Sequence, residues 1–260
     1  MSETLKIKLH PPGGTIMLQR PERRNAISRQ MLRELEEAFF DLHQERKVKA
    51  VILTGAGSAF CAGMDLNEMQ EAAQHDDALD LWRQDSIAYR DLIHQMLRFP
   101  KPIIAAVNGP AIAGGAGLLL AADLVVAAPE ARFGLPEPRR GIVAGMVAPL
   151  LAFRIGSGQA ARLLLTADTI DVDEALRIGL FHELAPGHTV WARAHALAEM
   201  CAKSAPQALQ LTKKLLNETI AESLETQLAA GAAASAAART TEAAAEGLAA
   251  FLEKREPHWP

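Results

Sequence analysis

The sequence predicts an α/β protein with a mainly parallel sheet and a helical C-terminal region. Three observations carry that expectation. Short apolar runs recur along the chain as AVILT (Ala50 to Thr54), IIAAV (Ile103 to Val107) and LVVAA (Leu124 to Ala128). They do not alternate with polar residues, which suits strands buried on both faces. Helical segments separate them, and strands spaced in that way pair in parallel.

The elements follow in order. Leu5, Ile7 and Leu9 alternate with polar neighbours, as in a half-buried strand. Pro11-Pro12-Gly13-Gly14 is a turn and TIML a second strand, so the chain opens with a hairpin. Ser28 is a suitable N-cap, and Met31, Leu32, Leu35, Ala38, Phe39 and Leu42 share one helical face after it. The charged stretch from Glu68 to Asp85 is expected to be a mobile helix or loop. A helix from about Ser86 to Arg98 follows, limited by Pro100 and Pro102. Asp171-Val172-Asp173-Glu174 is a capping box for a helix that Gly179 closes. From Pro206 the pattern is helical almost to the end. Its Ala-rich part reads as closely packed helices, with Leu248, Phe251 and Leu252 as the apolar stripe. The expected division is a core over 1–200 and a helical region over 201–260.

Composition bounds the function. The 260 residues are enough for a sizeable core, and 49% hydrophobic with 22% charged residues is ordinary for a soluble globular chain. A net charge of -4 implies no strong attraction to nucleic acid or an anionic membrane. Cys61 and Cys201 are too few for a disulfide framework, which points to a reducing compartment. MSETLKIKLH is too polar for a signal peptide, and no apolar run reaches ~18 residues. A cytoplasmic protein is the expectation.

Several motifs are incomplete. Gly55 and Gly57 follow a strand as G-x-G, but Phe60 stands where a dinucleotide fingerprint needs glycine. IGSG (Ile155 to Gly158) is not a nucleophile elbow. The eight histidines lack metal-ligand spacing, and Cys61 has no C-x-x-C partner. Two Gly-rich loops remain, SAFCAGMDLNEM and GPAIAGGAG. Glycine lets backbone or ligand approach closely. A first-turn helix N–H is unpaired and lies at the positive end of the dipole. Either loop by itself also reads as a tight turn. Two loops that present N–H groups to one point would make an oxyanion hole.

These loops lie within five ordered landmarks: RPERRNAIS, AVILTGAGSAFCAGMDL, KPIIAAVNGPAIAGGAGLLLAADLVVAAPEARFGLPE, TADTIDVDEALRIGLFHEL and GLAAFLEKREP. With them, the chain resembles the enoyl-CoA hydratase/isomerase (crotonase) superfamily along nearly its whole length. The resemblance implies a crotonase-like ββα spiral core, a C-terminal helical trimerisation region, and homotrimers or dimers of trimers. It implies an acyl-CoA substrate and no separate cofactor, since coenzyme A is part of that substrate; no metal is expected.

Carried over residue by residue, the oxyanion N–H groups belong to Met64 and Gly114. Ala62 and Gly63 lie where the family grips the CoA arm, and Asp65 follows them at the start of a helix that it is expected to cap. Arg24 matches a basic residue near the CoA phosphates, with a solvated arginine as the other reading. Phe251 and Lys254 match positions that reach the CoA of a neighbouring subunit. Hydratases of the family use two glutamates. Here one position is Gly117 and the other is Glu137. A single base can move a proton between C2 and C4 of an enolate, so isomerisation is favoured over hydration. A non-catalytic acyl-CoA-binding paralogue and other lyase or hydrolase chemistries stay open. Arg139 and Arg140 read either as a solvated pair or as a reader of a substrate carboxylate. Glu68 and Tyr89 are the reserve proton sources.

Overall fold

A computed structural model describes residues 3–219 and 222–258. The chain opens with β1 (Leu5–His10) and β2 (Gly13–Leu18), an antiparallel hairpin. Then come α1 (Arg29–Gln44), β3 (Ala50–Gly55), α2 (Leu66–Ala72) and α3 (Ala78–Arg98). Next are β4 (Ile103–Val107), β5 (Ala111–Ile112), α4 (Gly114–Ala121), β6 (Leu124–Ala127) and β7 (Phe133–Gly134). After a 3-10 turn at Glu137–Arg140 follow α5 (Val147–Thr166), β8 (Thr169–Ile170), α6 (Val172–Arg177) and β9 (Glu183–Leu184). The last helices are α7 (Val190–Ala202), α8 (Pro206–Lys214), α9 (Glu222–Ala238) and α10 (Glu242–Glu253).

The main sheet runs β1-β2-β3-β4-β6-β9, and all its pairs beyond the hairpin are parallel. A smaller sheet runs β5-β7-β8. The chain steps repeatedly from one sheet to the other and then into a helix: β4, β5 and α4, then β6, β7 and α5. This is a ββα spiral. The apolar runs are buried on both faces, as expected. Val51, Leu53, Ile103 and Ala105 join the large core with α1, α3 and α4. Ile52, Ile104, Ala106 and Val126 meet Val190, Ala194 and Leu197 of α7 on the other face.

The caps are local and legible. The Ser28 side chain accepts from Met31 N, and Asp171 accepts from Glu174 N. The six apolar residues singled out on α1 are its buried residues.

Three expectations are corrected. Ile7 and Leu9 are 41% and 51% exposed, so only Leu5 of that alternating set is buried. The charged stretch from Glu68 folds as α2 and the first turns of α3, which starts at Ala78 rather than near Ser86. Trp82 holds it: the ring is buried against Met69 and Ala72, and its Nε1 donates to Met69 O at 3.2 Å. The stripe on α10 also differs. Its buried residues are Ala244, Gly247 and Ala250, whereas Phe251 is 48% exposed. The small face lets α10 lie directly on the 3-10 turn, where a Cβ on Gly247 would strike the Arg140 backbone.

Candidate active site

Two loops leave adjacent parallel strands and are sewn together. Asn108, just after β4, accepts from Gly55 N at 3.0 Å and donates to Gly57 O at 3.0 Å and Ala59 O at 3.2 Å. Asn25 is fully buried; its Nδ2 donates to Ala56 O and Ala59 O, both at 2.9 Å. Phe60 N and Cys61 N donate to Pro110 O, and Ile112 N donates to Cys61 O. This pairing requires bare backbone. A Cβ on Gly115 would collide with Cys61 O, and Gly63 has φ +93° with the backbone of Ile112 and Gly114 beside it. The run of tiny residues after Asn108 is thus a seam between the loops.

The seam brings two amides together. Gly63 and Asp65 bond to Ile27 on either side of Met64, so the Met64 N–H points away from that pairing. Gly114 is the first residue of α4, where an N–H has no intrahelical partner. Neither amide donates a hydrogen bond among the described residues. A Cβ built on Gly114 would lie 3.6 Å from Met64 N, and one on Gly63 would lie 3.1 Å from Gly114 N. Ala113, before them, is held at φ 54°, ψ -125°, a conformation of the kind that clusters at functional sites.

Glu137 faces the same cleft. That cleft is lined by Met64, Met69, Tyr89, Gly114 and Glu137, with further walls from residues 142–147 and α9. The Glu137 carboxyl is 6% exposed and its Oε2 has no hydrogen-bond partner. Burial pushes it up to about 7, against smaller lowering effects of its own backbone amide and Arg140. A carboxyl that titrates near neutrality can both take and return a proton.

Tyr89 stands where the second acid was sought. A side chain on Gly117 would run into the Tyr89 hydroxyl, which donates to Gly114 O at 2.5 Å. Burial pushes this phenol well above its ordinary range, so it stays protonated. Gly117 itself is buried and does not line the cleft. Glu68 is turned away to accept from Arg29 N at 2.8 Å.

A wider groove opens beside the cleft and shares Ala62, Met64, Leu66 and Arg140 with it. Arg24, Asp65 and Phe251 line this groove; Lys254 does not. The Ala62 N–H is committed to Arg24 O at 3.0 Å and the Gly63 carbonyl to Ile27 N at 2.8 Å, which leaves the Ala62 carbonyl free among the described residues. Asp65 caps α2 by accepting from Asn67 N and pairs with Arg20 at 2.9 Å. Arg139 donates to Thr166 O, away from cleft and groove, while the Arg140 guanidinium lies 4.3 Å from the Phe251 ring centroid. Sequence reasoning missed Asn25 and also Arg239 and Ser235, which line the cleft from the C-terminal helices. A signal existed for the last two. Arg239 is the first charge after Glu225, and Ser235 lies four residues before it in an alanine run.

Among the described residues, no cluster of three His, Cys, Asp or Glu side chains is placed to hold a metal ion, and no helix is long and apolar enough to cross a membrane. Burial pushes the Cys61 thiol up to about 12, which makes it a poor nucleophile.

Two neighbouring amides and one buried carboxyl share this cleft, an arrangement able to stabilise an oxyanion while a proton moves. Comparison with known proteins agrees. Residues 14–260 match the family model described as enoyl-CoA hydratase/isomerase. A Thermus thermophilus protein that carries the enoyl-CoA hydratase name is 43% identical over 94% of this chain and 96% of its own. The 1,2-epoxyphenylacetyl-CoA isomerase of Escherichia coli is 31% identical, with 94% of each chain covered. The crystal structure of an enoyl-CoA hydratase/isomerase from Xanthobacter autotrophicus Py2 superposes with a TM-score of 0.90 at 29% identity, covering 100% of both chains. The chain belongs to the enoyl-CoA hydratase/isomerase family and has the crotonase fold.

Proposed function

We propose that the protein moves a double bond in an acyl-CoA thioester through an enolate, with Glu137 as its only general base. The carrying observation is the Glu137 carboxyl, buried and without a partner at Oε2 in the cleft that also holds Met64 and Gly114. In a 3-enoyl thioester the base takes a C2 proton. The C2–H electron pair shifts into the carbonyl, and the resulting oxyanion accepts from Met64 N–H and Gly114 N–H. The dienolate then collapses as Glu137 returns the same proton to C4, giving the 2-enoyl thioester.

Water addition needs a second group that activates water, and the position at Gly117 is filled by a phenol that stays protonated. That favours isomerisation over hydration. The groove supports the coenzyme A reading: Arg24 is exposed at its edge, with no ion pair among the described residues, and suits phosphates, and the free Ala62 carbonyl suits an amide N–H of the pantetheine arm. Phe251 lies in the groove of its own chain, and any contact with coenzyme A from that residue is expected there first.

The test compares turnover of 3-hexenoyl-CoA and crotonyl-CoA, alongside calorimetric binding of hexanoyl-CoA. Isomerisation that clearly exceeds hydration is expected. Efficient hydration of crotonyl-CoA would overturn the isomerase reading, and tight binding with no turnover would make the chain a binding protein.

A further inference from the structure

We propose that Arg239 and Ser235 form a carboxylate subsite in the acyl cleft, so that the preferred acyl group is a dicarboxylic acid joined to coenzyme A at one end. The proposal rests on the acyl-CoA reading above and names the substrate class of that site.

The cleft has two ends. Ala62, Met64, Leu66 and Arg140 line both cleft and groove, whereas Met69, Tyr89, Ser235 and Arg239 line the cleft alone. An acyl chain that enters from the groove passes the two amides before it meets α9. Its middle would run along apolar surface, since Met64, Met69 and Ala236 belong to one cluster.

Arg239 is the unusual group there. It is 9% exposed, yet its guanidinium makes no hydrogen bond or ion pair among the described residues, and its Nε is buried without a partner. Buried charges are normally paired. Asp85 is the anion that acts on Arg239 through space, but both its oxygens are engaged by Arg29, at 2.7 and 2.9 Å. Ser235 is 4% exposed, and its hydroxyl likewise makes no hydrogen bond among the described residues. At four residues' spacing the two side chains share one face of the helix end. A guanidinium fork plus a hydroxyl suits a planar carboxylate. Burial lowers the Arg239 guanidinium to about 10, which still leaves it charged at neutral pH.

The Arg139–Arg140 pair is less suited to that role. Arg139 lines neither cleft nor groove, and Arg140 sits at their junction beside Glu137 and against the Phe251 ring. A substrate carboxylate at Arg140 would raise the repulsion on the ionised base.

The experiment measures binding of butyryl-CoA, glutaryl-CoA and adipyl-CoA by calorimetry to the native chain and to Arg239→Met, Arg239→Lys and Ser235→Ala. At least one of the two dicarboxylic thioesters should bind the native chain about 10-fold or more tightly than butyryl-CoA, as charge-assisted hydrogen bonds allow. Arg239→Met should erase that preference, Arg239→Lys should keep part of it, and Ser235→Ala should weaken it. Butyryl-CoA binding as tight as both dicarboxylic thioesters would overturn the proposal, as would a preference that survives Arg239→Met. If Arg239→Met does not fold, the native comparison decides. If none of the three thioesters binds, the acyl-CoA reading fails first and the subsite with it.

Discussion

The hydroxyl of Tyr89 occupies the space in which a side chain on Gly117 would begin. A Cβ there would overlap that oxygen and lie 3.2 Å from Tyr89 Cζ and 3.1 Å from Val147 Cγ2. The space beside Gly117 is therefore closed by a phenol from α3 that reaches back to bond Gly114 O beside the paired amides. Overpacking of a closed core costs about 1–3 kcal/mol. Gly117→Ala should lose roughly that much stability in urea denaturation, and clearly less in a Tyr89→Phe background. Gly117→Glu should bring no hydration of crotonyl-CoA by itself. Equal losses in both backgrounds would mean that the two residues are not in contact.

Asn25 governs the shape of the first loop. Its Oδ1 accepts from Arg20 N at 3.0 Å while its Nδ2 faces the carbonyls of Ala56 and Ala59, and its own φ is 57°, which asparagine tolerates. Asn25→Asp keeps the size but turns donors into a carboxylate opposite carbonyl oxygens. A loss of about 3 kcal/mol or more is expected, because a buried charge is left without a partner. Chemical denaturation checks it; a change under ~1 kcal/mol would mean that the loop is held elsewhere.

Exposed apolar surface on the C-terminal helices motivates a prediction about assembly. Leu211, Leu215 and Leu216, on α8 and the π turn after it, are 61%, 57% and 53% exposed. Clustered apolar side chains of this kind mark contact surfaces. Light scattering should give three or six chains of 28.0 kDa, and Leu211→Glu with Leu215→Glu should lower the mass. A monomer at micromolar concentration would leave this face without an explanation.

Strands and caps were legible because their signals are local. Uninterrupted Val, Ile, Leu and Ala runs became the buried parallel strands, and Ser28 and Asp171 cap the helices that they precede. Glu137 and the Gly-rich loops were legible as candidates through their motif context. What escaped depends on contacts between distant segments. Trp82 sits among charges that read equally as a mobile helix or a loop, and it is the packing of Met69 and Ala72 on its ring that decides for the helix. Asn25 looks like one polar residue among arginines until the 56–60 loop folds around it. Arg239 gains meaning only when α9 is laid across α3 and α5, where Gly231 meets the Gly145 backbone. No period in the sequence carries such pairings.

As the proposed base, Glu137 would link stability to catalysis with opposite signs. Its carboxyl titrates near 4.5 when unperturbed and at about 7 in the fold, chiefly because burial penalises the charge. Between those values the native state holds the proton more often than the unfolded chain does. Stability therefore falls as pH rises through that window, and above it the cost of the buried charge is fully present. A shift of this size corresponds to about 3 kcal/mol. Glu137→Gln keeps the shape and carries no charge, so at pH 8 it should be more stable than the native chain by up to ~3 kcal/mol, with the gain fading towards pH 4.5. The same change should lower turnover by roughly 10²- to 10⁴-fold. In the native protein kcat/KM for isomerisation should climb with pH and level off above about 7, as the base ionises. Thermal denaturation at pH 5 and pH 8, beside pH–rate profiles, separates the possibilities. A variant that loses activity and gains stability only at high pH fits a buried base; a variant that stays active, or whose stability difference ignores pH, places the proton on another residue.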